Sequence, residues 1–567
     1  MRCLALPLLA LLSFGVLAPA LAMPKPPMPG PTLATIGFTG PAAFQTIARD
    51  VTDVAFSVDP SLASGAGLFD DAVRVPSYAP ANVAKLSSRL RADLAALRKL
   101  PWRTYDVDTQ IDVRWIFAIA ETLDHALTVE KLYVRRPGQW LEPTANNLLA
   151  LESYVPNRPD LESAVLAKIP AMVVDMRAQL TAPTRRDLSI GIGLARSVAG
   201  VATTHGDAAA AAALTGWIAD AEKLTPTQEF GVIGAEAYAW RLQHAMLLPW
   251  TPAELLAKAT AELARVDAET AAIPAPPARE PTAAEKAAAA ALDQAAVLAL
   301  YDGVSEANRA ATLRGGWVSI PAGVGPIRTR PTPDALIPLT GDGGSMNPPP
   351  TYDAANVSYW NVEHFDASWS AERRAQSVVG AADYLENGLG TYSAHEGWPG
   401  HHLQLAIARL NPDPIRSILP DCAQNEGWAL YAEQAFAEHG GLGPGNGARR
   451  TVLGGYRARV ARVLYDVNIE SGTWTLQAAA DFKYGTAAGL GTVDEDLLRS
   501  INWPTQLVCY FSGKHQILDM KAAAKAKLGA AFDERAFHDT LLQAGSIPLA
   551  LTRAKILGEP VPDFPPG

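Results

Sequence analysis

The sequence predicts a mainly α-helical protein that carries one small insert of strands and loops. Long stretches of the 567-residue chain place apolar residues three and four positions apart, which is the spacing of amphipathic helices. Between about 314 and 364 the chain instead becomes rich in Gly, Pro and β-branched residues. With 49% hydrophobic and 19% charged residues, the composition is that of a globular protein with a large core.

The N-terminus has the three regions of a secretory signal peptide. Arg2 precedes an apolar run, and Ala20-Leu21-Ala22 forms an A-x-A cleavage pattern before Met23. The run is short for a membrane span, and prolines interrupt it. We therefore expect a signal peptide over 1–22, followed by one helix-rich domain over 23–567, exported to the periplasm or secreted without stable insertion in a membrane.

The helical pattern is clearest in four segments, which are 82–100, 114–134, 251–273 and 451–467. The third segment begins with Thr251, Pro252 and Glu254, which provide an N-cap, a first-turn proline and a first-turn acid. The Pro- and Ala-rich stretch 273–291 is typical of an exposed connection that leads into a helix.

The net charge bears on nucleic-acid binding, and the cysteine content bears on disulfide formation. The formal net charge of -10 gives no electrostatic reason to expect binding to nucleic acid. Cys422 and Cys509 remain after the predicted cleavage, and an exported pair of cysteines can form one disulfide.

One motif, YSAHEGWPGHHLQL at 392–405, resembles a zinc-binding helix in which the second histidine is displaced. The usual H-E-x-x-H spacing places two histidines one turn apart on one metal ion. Here His401 faces another side of an ideal helix, and His402 lies roughly 10 Å further along the axis than His395. Pro399 and Gly400 permit a widened turn that returns one histidine to the metal, so both histidines stay open as the second ligand.

The third ligand is predicted in the segment NEGWALYAE, at 425–433. A catalytic zinc keeps three protein ligands, commonly two His and one carboxylate, and leaves a position for water. Glu426 is the candidate ligand, and Glu433, two turns later, either supports a ligand or takes the place of Glu426. The alternative interpretation is a chance run of polar residues without a metal.

Both motifs resemble the bacterial family called domain of unknown function 885 (DUF885), whose pattern is close to H-E-x-x-P-G-H-H-L-Q followed by E-G-W-A-x-Y-x-E. The resemblance continues in segments 230–256, 459–475, 504–514 and 537–553 and covers nearly the whole mature chain. This family is regarded as similar to the gluzincin metallopeptidases, which include oligopeptidases and the carboxypeptidase Taq group. The resemblance implies a large helical gluzincin-like fold with a deep cleft, one Zn2+ per chain and short peptide substrates.

The resemblance also implies roles for individual residues. Gluzincin helices often read H-E-x-G-H-x-L, which favours His401 as the second ligand beside His395 and Glu426. Residues expected to support a ligand or contact substrate are His402, Gln404, Glu433, Arg462, Asp466, Glu470 and Gln506. Relatives commonly carry His where this chain has Glu470, so turnover or specificity is expected to differ.

The proposed ligands imply a hydrolytic mechanism. Glu396, next to a ligand in sequence, is the predicted general base that takes a proton from water and passes it to the leaving amine. Tyr510 is the predicted donor to the oxyanion, with Tyr456 and Tyr465 as weaker candidates. A tyrosine that only packs in the core is the competing interpretation for Tyr510.

Two other functions remain compatible with the sequence. A catalytically inactive metal-binding or peptide-binding protein would keep the same fold, and the departure at Glu470 motivates this alternative. A serine hydrolase would need a G-x-S-x-G elbow, but the nearest stretch, GDGGS at 341–345, has no helical pattern after it.

Overall fold

The computed structural model describes residues 30–566, except for 276–279, 281, 335–336, 338–341, 367, 371–373, 375–387, 444 and 486–494. The predicted signal peptide lies outside the described residues. The described part is mainly helical, as the sequence predicts. None of its helices is both long enough and apolar enough to cross a membrane.

The N-terminal half consists of helices joined by turns and loops, and residues 33–221 provide most of one large hydrophobic core. Its α-helices are α1 Ala42–Val58, α2 Ser61–Ala66, α3 Pro80–Lys99, α4 Val107–His125, α5 Gly138–Tyr154, α6 Pro159–Leu166, α7 Ile169–Gln179, α8 Arg185–Thr204, α9 Ala208–Ala221, α10 Ala235–Trp240, α11 Pro252–Ala272, α12 Ala283–Ala290 and α13 Gln294–Gly315. Single turns of π-helix extend α4 over Ala126–Glu130 and α10 over Arg241–Ala245. Short 3-10 turns lie at Trp102–Thr104, Leu132–Val134 and Gly529–Ala531.

The capping prediction for α11 is confirmed. The Thr251 side chain accepts a hydrogen bond from the Glu254 amide, and the Glu254 carboxylate accepts one from the Thr251 amide. These two bonds satisfy amides that otherwise lack partners at a helix start, and Pro252 has none to satisfy.

The strands lie inside the predicted insert and form one small sheet. They are β1 Ile327–Pro331, β2 Ser345–Asn347 and β3 Ser358–Val362, in the order β1-β3-β2. β1 is parallel to β3, with Thr329 opposite Trp360, and β2 is antiparallel to β3, with Met346 opposite Trp360. The Trp360 side chain is fully buried and packs on Tyr392, the first residue of the histidine motif.

The C-terminal half supplies the helices around this motif. They are α14 Leu389–Glu396, α15 His401–Ala408, α16 Ile415–Ile418, α17 Cys422–Glu438, α18 Asn446–Glu470, α19 Leu476–Tyr484, α20 Glu495–Asn502, α21 Cys509–Leu528, α22 Glu534–Gln543 and α23 Leu549–Leu557.

Helices α17 and α21 approach each other very closely. A Cβ atom on Gly513 would overlap the carbonyl oxygen of Ala423, and one on Gly427 would overlap the backbone of Gly513. Only glycine at both positions allows this backbone contact. A disulfide between Cys422 and Cys509 joins the starts of the same two helices, so the bond that the sequence permits is formed.

Candidate metal centre

The histidine motif is divided between two helices. α14 ends at Glu396 and α15 begins at His401, with Gly397–Gly400 between them and a cis peptide bond before Pro399. A Cβ atom on Gly400 would overlap the carbonyl oxygen of His395, so glycine is required where the chain folds back. The departure from a straight helix is therefore larger than the widened turn expected from the sequence.

This break brings His401 next to His395, and both face Glu426 from α17. Glu426 Oε2 lies 3.2 Å from His401 Nε2 and 3.6 Å from His395 Nε2. One ligand atom from each of the three side chains lies within 4.8 Å of the others. The three residues are those that the sequence analysis selected as ligands.

The geometry of these atoms fits a zinc ion. Zinc held at about 2.0–2.1 Å by tetrahedral ligands keeps the ligand atoms about 3.3 Å apart. The two distances from Glu426 are close to this value, and the histidine nitrogens lie within 4.8 Å of each other. Glu426 Oε2 is also buried, and its polar neighbours are the two imidazole nitrogens. A cation between the three side chains would bind this oxygen and both nitrogens.

The electrostatics of the site also favour a cation. Burial lowers the pKa of His395, but Glu426 and Glu433 raise it more, to about 9. Burial raises the pKa of Glu426, but the neighbouring His401 and His395 outweigh this effect and hold the pKa well below its usual range. The negative field that favours an imidazolium also favours a metal dication in its place.

Glu433 supports His395 from the side opposite Glu426. Its Oε1 lies 2.8 Å from His395 Nδ1, while Nε2 faces the triad. Burial raises the pKa of Glu433, but the charge of Arg459 and the bond to His395 lower it overall, so this carboxylate is ionised. A carboxylate behind a histidine ligand orients the ring and makes it a stronger donor.

Glu396, the predicted general base, is buried at the end of α14 beside His395. It is 6% exposed. Burial raises its pKa, and interaction with His395 and His401 opposes that rise. A raised pKa makes a carboxylate a better proton acceptor than an ordinary glutamate.

Tyr510 is the candidate oxyanion donor that lies at the triad. Its ring is 6.2 Å from the His395 ring, and Gln506 Nε2 donates to both Glu426 Oε1 and Tyr510 Oη, at 3.4 and 3.5 Å. Arg499 also donates to Tyr510 Oη, at 3.3 Å. In these two bonds Tyr510 acts as the acceptor, so its own proton remains available to a substrate.

The two weaker candidates are engaged elsewhere. The Tyr456 hydroxyl contacts His515 Nε2 at 2.8 Å, and the Tyr465 hydroxyl donates to Asp496 at 2.5 Å.

Arg462 borders the tyrosine, whereas Asp466 and Glu470 lie further along α18 in a separate buried group. The guanidinium of Arg462 lies 4.8 Å from the centre of the Tyr510 ring. Asp466 accepts from the Tyr238 hydroxyl at 2.6 Å, and Glu470 accepts from the Ile233 amide at 3.0 Å. The described contacts of Asp466 and Glu470 do not include the triad.

His402 and Gln404 hold α15 in place. His402 is fully buried, and its Nδ1 lies 2.7 Å from the hydroxyl of Ser358 in β3. Gln404 donates to Asn425 of α17 at 3.0 Å. His402 therefore connects α15 to the sheet, and Gln404 connects α15 to α17.

The structure adds two arginines that the sequence analysis did not select. Arg459 lies 3.9 Å from Glu433 Oε1, and Arg499 contacts Gln506 and Tyr510. Arg459 is three residues before Arg462, so helical spacing puts both on one face. This spacing could have identified Arg459 from the sequence. Arg499 carried no such signal, because it reaches the site only through the packing of α20 on the turn before α21.

The fold and the site together define a mainly helical protein with one candidate metal centre in its described part. Within this class the chain belongs to the family of bacterial proteins of unknown function called DUF885, which matches residues 60–556.

Two solved structures share the fold. A protein of unknown function from Shewanella oneidensis, described as a candidate lipoprotein, has 19% identity and a TM-score of 0.69, covering 91% of this chain and 100% of its own. Another candidate lipoprotein, from Colwellia psychrerythraea, has 17% identity and a TM-score of 0.62, covering 91% and 99%. No match was found among curated proteins.

Proposed function

We propose that this protein is an exported zinc-dependent peptidase of the gluzincin type that hydrolyses short peptides in a deep cleft. The observation that supports it best is the convergence of His395, His401 and Glu426 on one point, with Glu426 Oε2 buried between the two imidazole nitrogens. Three protein ligands leave a fourth position open, as catalytic zinc sites do. Export is supported by the N-terminal pattern and by the description of both structural neighbours as candidate lipoproteins.

The residues of the chain account for each proton in a hydrolytic reaction. When bound, Zn2+ acidifies water to a pKa of about 7 and polarises the scissile carbonyl. Glu396 accepts a proton as the water oxygen forms a bond to the carbonyl carbon. Tyr510 donates a hydrogen bond to the oxygen that becomes negative. Glu396 then delivers its proton to the nitrogen as the carbon–nitrogen bond breaks, which gives a carboxylic acid and an amine.

The test is hydrolysis of a library of short peptides by the zinc-loaded mature chain, with Glu396→Gln as the decisive variant. We expect kcat to fall about 100- to 10,000-fold because proton transfer is lost, while zinc content stays the same. The matched control is Glu438→Gln, which changes an exposed glutamate of α17 and should retain full activity.

Two outcomes would each contradict the proposal and favour another function. Zinc binding without hydrolysis of any peptide would support an inactive metal-binding or peptide-binding protein. Hydrolysis that persists in Glu396→Gln and after chelation would point to a hydrolase that uses a serine.

A further inference from the structure

Arg499 holds a positive charge close to the candidate metal centre. Its Nη2 donates to Gln506 Oε1 at 3.0 Å and to Tyr510 Oη at 3.3 Å, and Gln506 in turn donates to Glu426. One side chain, Gln506, therefore separates this guanidinium from a candidate ligand. Arg499 and the triad are therefore close enough to contact the same short peptide.

Among the described side chains no acid pairs with Arg499, whereas the other arginines around the site each have one. Arg462 is paired with Asp496 at 2.6 Å, and Arg241 is paired with Glu130. The contacts of Arg499 within the described residues are neutral: the Gln506 amide, the Tyr510 hydroxyl and the Trp503 ring, at 5.9 Å. Its Nε is buried and has no hydrogen-bond acceptor.

Asp496, the described acidic side chain one turn earlier in α20, has its own partners. It binds Arg462, Lys483 at 3.3 Å and the Tyr465 hydroxyl. A partly buried guanidinium without an acid is costly, because it has lost water without gaining a charged partner. An anionic ligand would supply that partner, and the planar fork of arginine matches a carboxylate in particular.

The position of Arg499 restricts where this carboxylate lies on a peptide. Arg499 touches Tyr510, which is the candidate donor to the scissile carbonyl oxygen, and successive residues of a peptide are about 3.8 Å apart. A carboxylate bound by Arg499 therefore lies within one or two residues of the bond that is cleaved. The C-terminal carboxylate of the substrate satisfies this condition in every short peptide, whatever its side chains.

We infer that Arg499 binds the C-terminal carboxylate of peptide substrates, so that cleavage removes one or two residues from a free C-terminus. This inference rests on the proposed peptidase function and assigns its substrate class. Arg499 accordingly acts as a binding and specificity residue rather than as a proton carrier.

The first test measures binding, so that it does not depend on turnover. Trialanine and trialanine amide are titrated into the Glu396→Gln variant by calorimetry, and the acid should bind about 100-fold more tightly than the amide. The same titration in Glu396→Gln/Arg499→Gln should show equal, weak binding of both. Equal affinity in the single variant, including no measurable binding of either peptide, would overturn the inference.

The second test measures kcat/KM of the zinc-loaded protein with matched acid and amide peptides. Arg499→Gln should lose about 100-fold with the acid, mainly through KM, and little with the amide. Arg499→Lys should recover part of this loss because it keeps the charge. If Arg499 only positioned Tyr510, both peptides would lose kcat equally, which would contradict the inference.

Two controls separate the possible failures. Arg457→Gln removes an exposed arginine paired with Asp267 and should leave the preference unchanged. N-acetyl-Ala-Glu-Ala amide offers a side-chain carboxylate only, and its binding as tightly as trialanine would assign Arg499 to acidic side chains instead. Equal hydrolysis of acid and amide peptides would overturn the inference about Arg499 but support the peptidase function. An Arg499-dependent preference for the acid without hydrolysis would support the inference about binding but contradict the peptidase function.

Discussion

Glu426 and Glu470 are both buried glutamates in the C-terminal half of the chain, but their surroundings differ. Glu426 faces two histidine nitrogens, at 3.2 and 3.6 Å, and has a lowered pKa. Glu470 accepts from the Ile233 amide and interacts with Arg136, Asp466 and Arg241, and burial raises its pKa to about 8. Burial alone therefore favours a protonated acid, whereas two imidazole nitrogens facing a carboxylate distinguish a site for a cation.

The largest effect is expected from replacing Glu426, the glutamate of the proposed metal site. Glu426→Gln keeps the shape of the side chain but removes the anionic ligand, so we expect zinc content to fall from about one per chain to near zero. Elemental mass spectrometry after zinc loading and desalting measures this content. Glu470→Gln is the matched control and should retain zinc; equal zinc content in both variants would reject the assignment of Glu426.

A smaller effect is expected from the carboxylate behind His395. Glu433→Gln removes the negative partner of His395 Nδ1, so zinc affinity should decrease about 10- to 100-fold without being lost. Competition with a chromophoric chelator gives the affinity. Glu438→Gln, on the same helix but exposed, should bind zinc as the unchanged protein does; a comparable loss there would show that the effect is not specific to Glu433.

The smallest effect is expected from Glu470, the second glutamate of the comparison, and concerns how stability depends on pH. The folded-state pKa of Glu470 is raised above its ordinary value of 4.5, to about 8. The folded protein then binds more protons than the unfolded chain between these values, so the contribution of Glu470 to stability is complete at low pH and is lost as pH rises. Glu470→Gln removes this contribution, because the amide does not titrate.

Thermal unfolding of metal-free protein at pH 5.5 and pH 8.5 measures this difference. From pH 5.5 to pH 8.5, Tm should fall more in the unchanged protein than in Glu470→Gln, with a difference on the order of a few degrees. An equal or larger fall in the variant would mean that Glu470 is ionised in the folded protein.

The sequence predicted the helical class, the small insert and the three residues that converge. Helical periodicity reports which face of a segment is apolar, so α3 and α11 appear close to their predicted bounds. Periodicity does not report how far a Pro-Gly step reorients the chain, so the separation of α14 from α15 was underestimated. The partner of Arg499 depends on the packing of helices distant in sequence from the histidine motif, which spacing along the chain does not encode.

The contact between Gly427 and Gly513 also limits how this site can change. Glu426 is next to one glycine, and Tyr510 lies one turn before the other. The separation of the two helices that carry Glu426 and Tyr510 is therefore set here by two backbones in contact, without a side chain between them that could be enlarged or trimmed. Changes of residue at other positions can alter what the site accepts, but replacing either glycine would force the two helices apart.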